Sequence, residues 1–171
     1  MIRNSLFILC GLVAMIGCRK TKNSVVETPT AVVKDSVLAV APVDTLVYYE
    51  RTACFGMCPI FKCVILSNNV AWYEGRNFVD RIGTFQTNMD PTALQKIYAM
   101  CDQIGYFGFK EQYDHAHVTD LPSVITRIRQ GSKEHQVVNR YRGPRELNDL
   151  YALLDATIAA SKWEQVAEEK K

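Results

Sequence analysis

The sequence predicts an α+β fold: a single two-layer domain in which an antiparallel β-sheet carries two helices packed on one face. Three observations predict it. Short runs rich in β-branched and aromatic residues follow one another with only turn residues between them, which favours antiparallel neighbours. Two stretches, starting at Asp90-Pro91 and at Pro144, carry apolar residues at helical spacing. The resulting order, β-β-β-(β)-α-β-β-α, does not alternate strand with helix as a parallel sheet requires. At 171 residues, 48% hydrophobic and 22% charged, the chain can bury one core and still have tails to spare.

The first element is an address. Arg3 supplies a positive start and Ser5 to Ile16 a short apolar run, too few residues to span a bilayer, so residues 1–17 read as a secretory signal peptide. Met15-Ile16-Gly17-Cys18 resembles the lipobox of bacterial lipoproteins, with methionine where leucine is usual. The resemblance implies that Cys18 is acylated, carrying palmitate or a similar chain, and that membrane lipid is a partner through it. Two or three acyl chains hold a protein durably where one holds it only marginally. The address expected from this is the bacterial cell envelope, a lipoprotein anchored on the outer membrane and facing the periplasm.

Residues 18–43 read as the lipidated cysteine and a flexible tether. The stretch has no glycine, no aromatic residue and no helical or strand period. The 25 residues after Cys18 would hold the domain about 28 Å from its anchor at coil dimensions.

The domain is expected over residues 44–163. Asp44 to Arg51 and Ile60 to Leu66 are strands, and Ser67-Asn68-Asn69 turns the chain into a third, Val70 to Tyr73. A weaker fourth covers Phe78 to Phe85. Asp90 caps a helix that has Pro91 at its first position, Leu94, Ile97, Tyr98, Cys101 and Ile104 on one face, and Gly105 at its end. Tyr106, Phe107 and Phe109 add aromatic mass before a polar loop, Lys110 to Thr119. Ser123 to Arg129 and Glu134 to Tyr141 make a second hairpin around Gln130-Gly131-Ser132-Lys133. Pro144 opens the last helix, striped with Leu147, Leu150, Tyr151, Leu154 and Ile158, and Trp163 closes the core. Tyr48, Trp72, Tyr73 and Phe107 are also expected in that core. Residues 164–171 read as a charged tail.

Cys54-Phe55-Gly56-Met57-Cys58-Pro59-Ile60-Phe61, Trp72-Tyr73-Glu74-Gly75, Thr119-Asp120-Leu121-Pro122 and Trp163 together resemble a family of secreted bacterial domains of unknown function, over roughly residues 44–163. The resemblance implies a domain boundary and no mechanism. Phe61 stands where tyrosine is common, and Cys63 and Cys101 look like additions to the pattern.

An exported chain with Cys54, Cys58, Cys63 and Cys101 points to disulfides, with three possible connectivities. Gly56 lets the chain turn tightly enough to join Cys54 to Cys58. Cys63 and Cys101 both fall on inward faces, one on a strand and one on a helix, so the favoured pairing is Cys54–Cys58 with Cys63–Cys101. The short loop then displays Phe55 and Met57 for contact.

Other chemistry is weaker. From residue 44 onward the chain has 15 Lys and Arg against 16 Asp and Glu, without the basic footprint that nucleic acid demands. Hydrolase motifs and phosphate-cradling glycine loops are missing, and the sequence predicts no cofactor and no catalytic residue. Two thiolates at Cys54 and Cys58 beside Met57, with His115 and His117, would suit a copper ion, and the same pair would suit thiol redox chemistry. Pro59 and the strand after it disfavour the helix N-terminus on which a reactive thiol depends. Arg127, Arg129, Arg140 and Arg142 either face solvent or meet carboxylates and phosphates. The function expected is therefore a membrane-anchored envelope lipoprotein with a non-enzymatic binding or assembly module, its partner an envelope protein or glycan; the alternative is a periplasmic copper-binding or thiol-redox protein.

Overall fold

The computed structural model describes residues 42–167. The expected signal segment, Cys18 and the expected tether through residue 41 lie outside the described residues, as do residues 168–171. Strands β1 (Thr45–Arg51), β2 (Ile60–Leu66), β3 (Val70–Asn77) and β4 (Gly83–Asn88) precede helix α1 (Pro91–Ile104). A 3-10 turn (Tyr106–Gly108) and β5 (Gln112–Tyr113) lead into the hairpin of β6 (Val124–Gln130) and β7 (Lys133–Asn139), and α2 (Glu146–Ala160) and β8 (Glu164–Gln165) follow. The strands form one sheet in the order β5-β7-β6-β1-β2-β3-β4-β8. The fold class is α+β, one open sheet with two helices.

The sheet is mixed where a purely antiparallel one was expected. β5 runs parallel to the edge of β7, in the middle of what reads as a polar loop. Two residues suffice because the edge of β7 has unpaired backbone groups: Val138 N–H donates to the Glu111 carbonyl and Arg140 N–H to the Tyr113 carbonyl. At the other edge Glu164–Gln165, expected in the tail, pair with β4 as β8. β4 itself starts later than expected. Phe78 takes a left-handed φ of 52°, its N–H held by the Asn77 side chain, and that conformation breaks the strand until Gly83.

Strand alternation sorts the two faces. Val47, Tyr49, Phe61, Cys63, Ile65, Ala71, Tyr73, Ile128 and Val137 point to one side and are buried under both helices. Tyr48 and Trp72, expected in the core, stand half-buried on the open face, because their neighbours Tyr49 and Tyr73 take the inward places. Ring contacts run through the core from Tyr49 to Phe61 (5.4 Å), on to Tyr73 (5.4 Å) and to Trp163 (5.5 Å), so Trp163 does close it. Each such fully buried large side chain contributes about 1.5–3 kcal/mol.

α1 forms as its sequence dictates. Asp90 Oδ1 accepts the Thr92 N–H at 2.8 Å, and Gly105 ends the helix at a φ of 67° that costs glycine nothing. Ile97 and Cys101 are its buried residues, while α2 buries Leu147, Leu150, Tyr151, Leu154 and Ile158. Below α1, Tyr106 donates to Thr126, whose carbonyl oxygen and Oγ1 both lie at 2.9 Å, so the one fully buried polar side chain of the sheet is satisfied.

The expected Cys63–Cys101 bridge is not formed: both are free and buried. A shared inward face is not enough. A disulfide also needs Cα atoms within about 7 Å and Cβ vectors that point at each other, which a shared face does not provide. Burial pushes both thiols up to about 12, so they behave as small apolar side chains.

Candidate functional site

β1 and β7 end, and β2, β4 and β6 begin, at the same end of the sheet, so four connections gather there: residues 52–59, 78–82, 114–123 and 140–145. The opposite end holds two tight turns. Asn69 (φ 64°) turns β2 into β3, and Gly131 (φ 61°) occupies the first central position between β6 and β7, where a two-residue hairpin favours glycine. The chain enters β1 at that turn end, where Ser67 N–H donates to the Asp44 carbonyl at 2.8 Å.

The loops are tied to one another. Thr52 N–H donates to the Ser123 carbonyl at 3.0 Å, and Ser123 N–H donates to Thr52 Oγ1 at 2.8 Å. Cys54 and Cys58 are joined by a disulfide, with Cα atoms 5.8 Å apart. That bridge is the one expected, and it leaves the pair no thiolate to offer a metal or a substrate. Between the two sulfurs Phe55 is 93% and Met57 83% exposed, so the loop presents both to solvent. Phe78 and Ile82 on the next loop and Leu121 on the third are exposed as well. Five of the six exposed large apolar side chains of the described residues thus share one end; the sixth, Val43, lies at the other.

Beneath this apolar rim lies a polar cleft of about 570 Å³, walled by Leu121, Pro122, Asn139, Arg142, Tyr151 and Asp155 among others. Arg51 forms one wall, donating from Nη2 to Asp155 Oδ2 at 2.6 Å and from Nε to the Tyr49 hydroxyl at 2.9 Å. Tyr49 O–H in turn donates to Asp155 Oδ1 at 2.8 Å. Burial lifts the Tyr49 hydroxyl far above its ordinary value, and although burial alone would lower Arg51, Tyr49 and Asp155 more than offset it. The triad is therefore a fixed ion pair with a neutral phenol. Asp155 also borders a smaller hollow of about 250 Å³ next to Phe61, Tyr73 and Phe78.

Arg140 Nε donates to Asp114 Oδ1 at 2.6 Å, and that bond holds the Asp114 carboxyl below its ordinary range. Arg142 is different: its φ is 52°, its guanidinium lies over Tyr141, and it makes no ion pair among the described residues. The Tyr151 hydroxyl is buried without a hydrogen-bond partner. The Asn139 amide beside it pulls against the rise that burial gives this hydroxyl, but its Oδ1 accepts the Gly143 N–H at 3.1 Å, so the Tyr151 proton has no acceptor. A Cβ at position 143 would meet the Asn139 side chain at 2.6 Å, so any larger residue than Gly143 would push that side chain from its place.

The four arginines read together from sequence separate in space. Arg140 and Arg142 line the cleft, whereas Arg127 stacks on Tyr48 on the open face and Arg129 pairs there with Glu134 and, at 3.6 Å, Asp44. His115 and His117 sit on the 114–123 connection with rings 5.5 Å apart. Among the described residues no three His, Cys, Asp or Glu side chains are grouped to hold a metal ion.

A family model described as a domain of unknown function, DUF6438, matches residues 45–158. The chain belongs to this family. The DUF6438 match takes in the disulfide loop, the 114–123 connection and the cleft through Asp155, and it stops short of Trp163 and β8. No curated protein and no solved structure matches the chain.

Sequence reasoning missed Arg51, Asp155, Tyr151 and Asn139 as a group. One signal was available: Val47, Tyr49 and Arg51 alternate onto the inward face, so a charge there needs an inward partner. The helical stripe that places Leu154 and Ile158 against the sheet carries Asp155 at its margin.

Proposed function

We propose that this protein is a membrane-anchored cell-envelope lipoprotein whose domain is a non-enzymatic docking module, with the loop-bearing end of the sheet as its contact surface. The observation that carries the reading is the collection of Phe55, Met57, Phe78, Ile82 and Leu121, all exposed, on three neighbouring loops. Exposed apolar groups gathered in one place mark a surface that another molecule covers. The partner is an envelope protein rather than a glycan, because these side chains present carbon and sulfur and no donors for sugar hydroxyls. A short disulfide loop suits the role, holding Phe55 and Met57 in place before binding so that less entropy is lost on contact. Acylation of Cys18 supplies the anchor, supported by the signal-like residues 1–17 and the Met15-Ile16-Gly17-Cys18 pattern.

Two variants test the two halves. Cys18→Ser should move the protein from the membrane to the soluble fraction; an unchanged membrane fraction would remove the anchor. Phe55→Ser with Met57→Ser should abolish co-purification of the envelope partner while leaving the thermal midpoint in place. Unaltered co-purification would contradict the docking surface.

A further inference from the structure

The cleft under the rim has an unbalanced inventory. Tyr151 is 5% exposed, lines the cleft and has a hydroxyl with no partner. Native proteins rarely bury a hydroxyl unpaired, and where they do a bound water, ion or ligand is among the explanations. Arg51 is committed to Asp155 and Arg140 to Asp114, which leaves Arg142 as the cation of the cleft without a carboxylate partner among the described residues. Arg142 also holds a left-handed backbone conformation that a side chain adopts only at a cost. A residue that needs only to turn the chain there would be glycine.

We propose that this cleft binds a carboxylate group, paired with the Arg142 guanidinium and accepting the Tyr151 O–H. The charge count sets the class. One uncompensated arginine and a neutral phenol match a monoanion; a phosphate dianion would bring surplus negative charge next to Asp155. The side chain of Asn148 also lines the cleft and adds a neutral amide donor. Leu121, Pro122 and Ala152 give the same cleft an apolar flank, suited to a short apolar side chain beside the carboxylate. Leu121 belongs to both rim and cleft, so a chain lying across the rim can end in the cleft. The inference rests on the docking reading and names its anchor: the C-terminal carboxylate of the partner. A free small carboxylate shares this chemistry, and the test separates the two sources.

The test uses the full chain in detergent micelles and fluorescence anisotropy. The probes are hexapeptides with apolar final residues, made with a free C-terminal carboxylate or as the amide, and N-acetyl-leucine and inorganic phosphate serve as competitors. The free acids should bind about tenfold or more tightly than the amides, and Tyr151→Phe and Arg142→Gly should each cost about tenfold without lowering the thermal midpoint. Peptide acids that bind well above N-acetyl-leucine identify a protein C-terminus; equal affinity identifies a free small carboxylate, and both results support the carboxylate site. Equal binding of acid and amide, binding of neither, stronger competition by phosphate, or indifference to both substitutions would overturn it. If Phe55→Ser with Met57→Ser still abolishes partner capture while acid and amide bind alike, the docking reading stands and the carboxylate falls. Acid-selective binding with unaltered capture gives the reverse.

Discussion

The core beneath the helices and the loop-bearing end of the sheet obey opposite rules. In the core, Val47, Tyr49, Ile97, Ile128, Leu147 and Leu150 are essentially without exposure, the one buried polar side chain of the sheet, Thr126, is hydrogen-bonded, and both thiols are free and protonated. At the loop end apolar side chains face water, a buried hydroxyl has no partner, and a non-glycine residue holds a left-handed φ. The two sets of cysteines make the same contrast, buried and unbonded in one place, half-buried and bonded in the other. The difference teaches where the sequence invests in stability and where it accepts local cost, and local cost concentrates where proteins bind.

Substitutions should separate the two regions. Leu150→Ala should lower unfolding free energy by about 2–5 kcal/mol, while Phe55→Ser with Met57→Ser should change it by less than about 0.5 kcal/mol, both read from denaturant midpoints. A large loss from the loop variant would show that the rim packs in the free protein and is not a contact surface.

Alkali should strike the core first. Cys63 and Cys101 are raised from 9.0 to about 12 by burial, so in the native state they keep protons that the unfolded chain releases. Their contribution is fully present below about pH 9 and lost as pH rises toward 12, at up to about 1.4 kcal/mol per unit for each thiol. Denaturant titrations between pH 8 and 11 check this, and Cys63→Ala with Cys101→Ala should flatten the decline. Reactive native thiols at pH 8 would contradict it.

The disulfide should matter less. It closes a loop with a sequence separation of 4, for which chain entropy offers about 2 kcal/mol. Cys54→Ser with Cys58→Ser should therefore cost about 2 kcal/mol or less in stability, yet weaken partner binding through disorder in the loop. Arg142→Gly carries the opposite sign: relief of its left-handed backbone should raise stability by up to about 1 kcal/mol while removing the cation of the cleft.

Much of the fold was legible in the sequence because local rules set it. Ile60 to Leu66 alternates as expected, Asp90 and Gly105 bound α1 as their side chains dictate, and Cys54 and Cys58 are close enough in sequence for one turn to join them. The misses are long-range. β5 and β8 exist because sheet edges left backbone groups unpaired, a need that Gln112-Tyr113 and Glu164-Gln165 do not advertise. The Cys63–Cys101 expectation failed because periodicity fixes a face and not a distance. The exposure of Phe55 and Met57 could be read from their place in the turn, whereas the cleft joins Arg51, Asn139, Tyr151 and Asp155 from three elements, and only the fold brings them together.

The central claim is that the loop-bearing end, and not the turn end, meets the partner. A photo-crosslinking amino acid at position 55, compared with the same group at position 68 in the turn between β2 and β3, measures it in intact cells. Crosslinking to an envelope protein at 55 and none at 68 is the predicted result; equal crosslinking at both positions, or crosslinking at 68 alone, would contradict it.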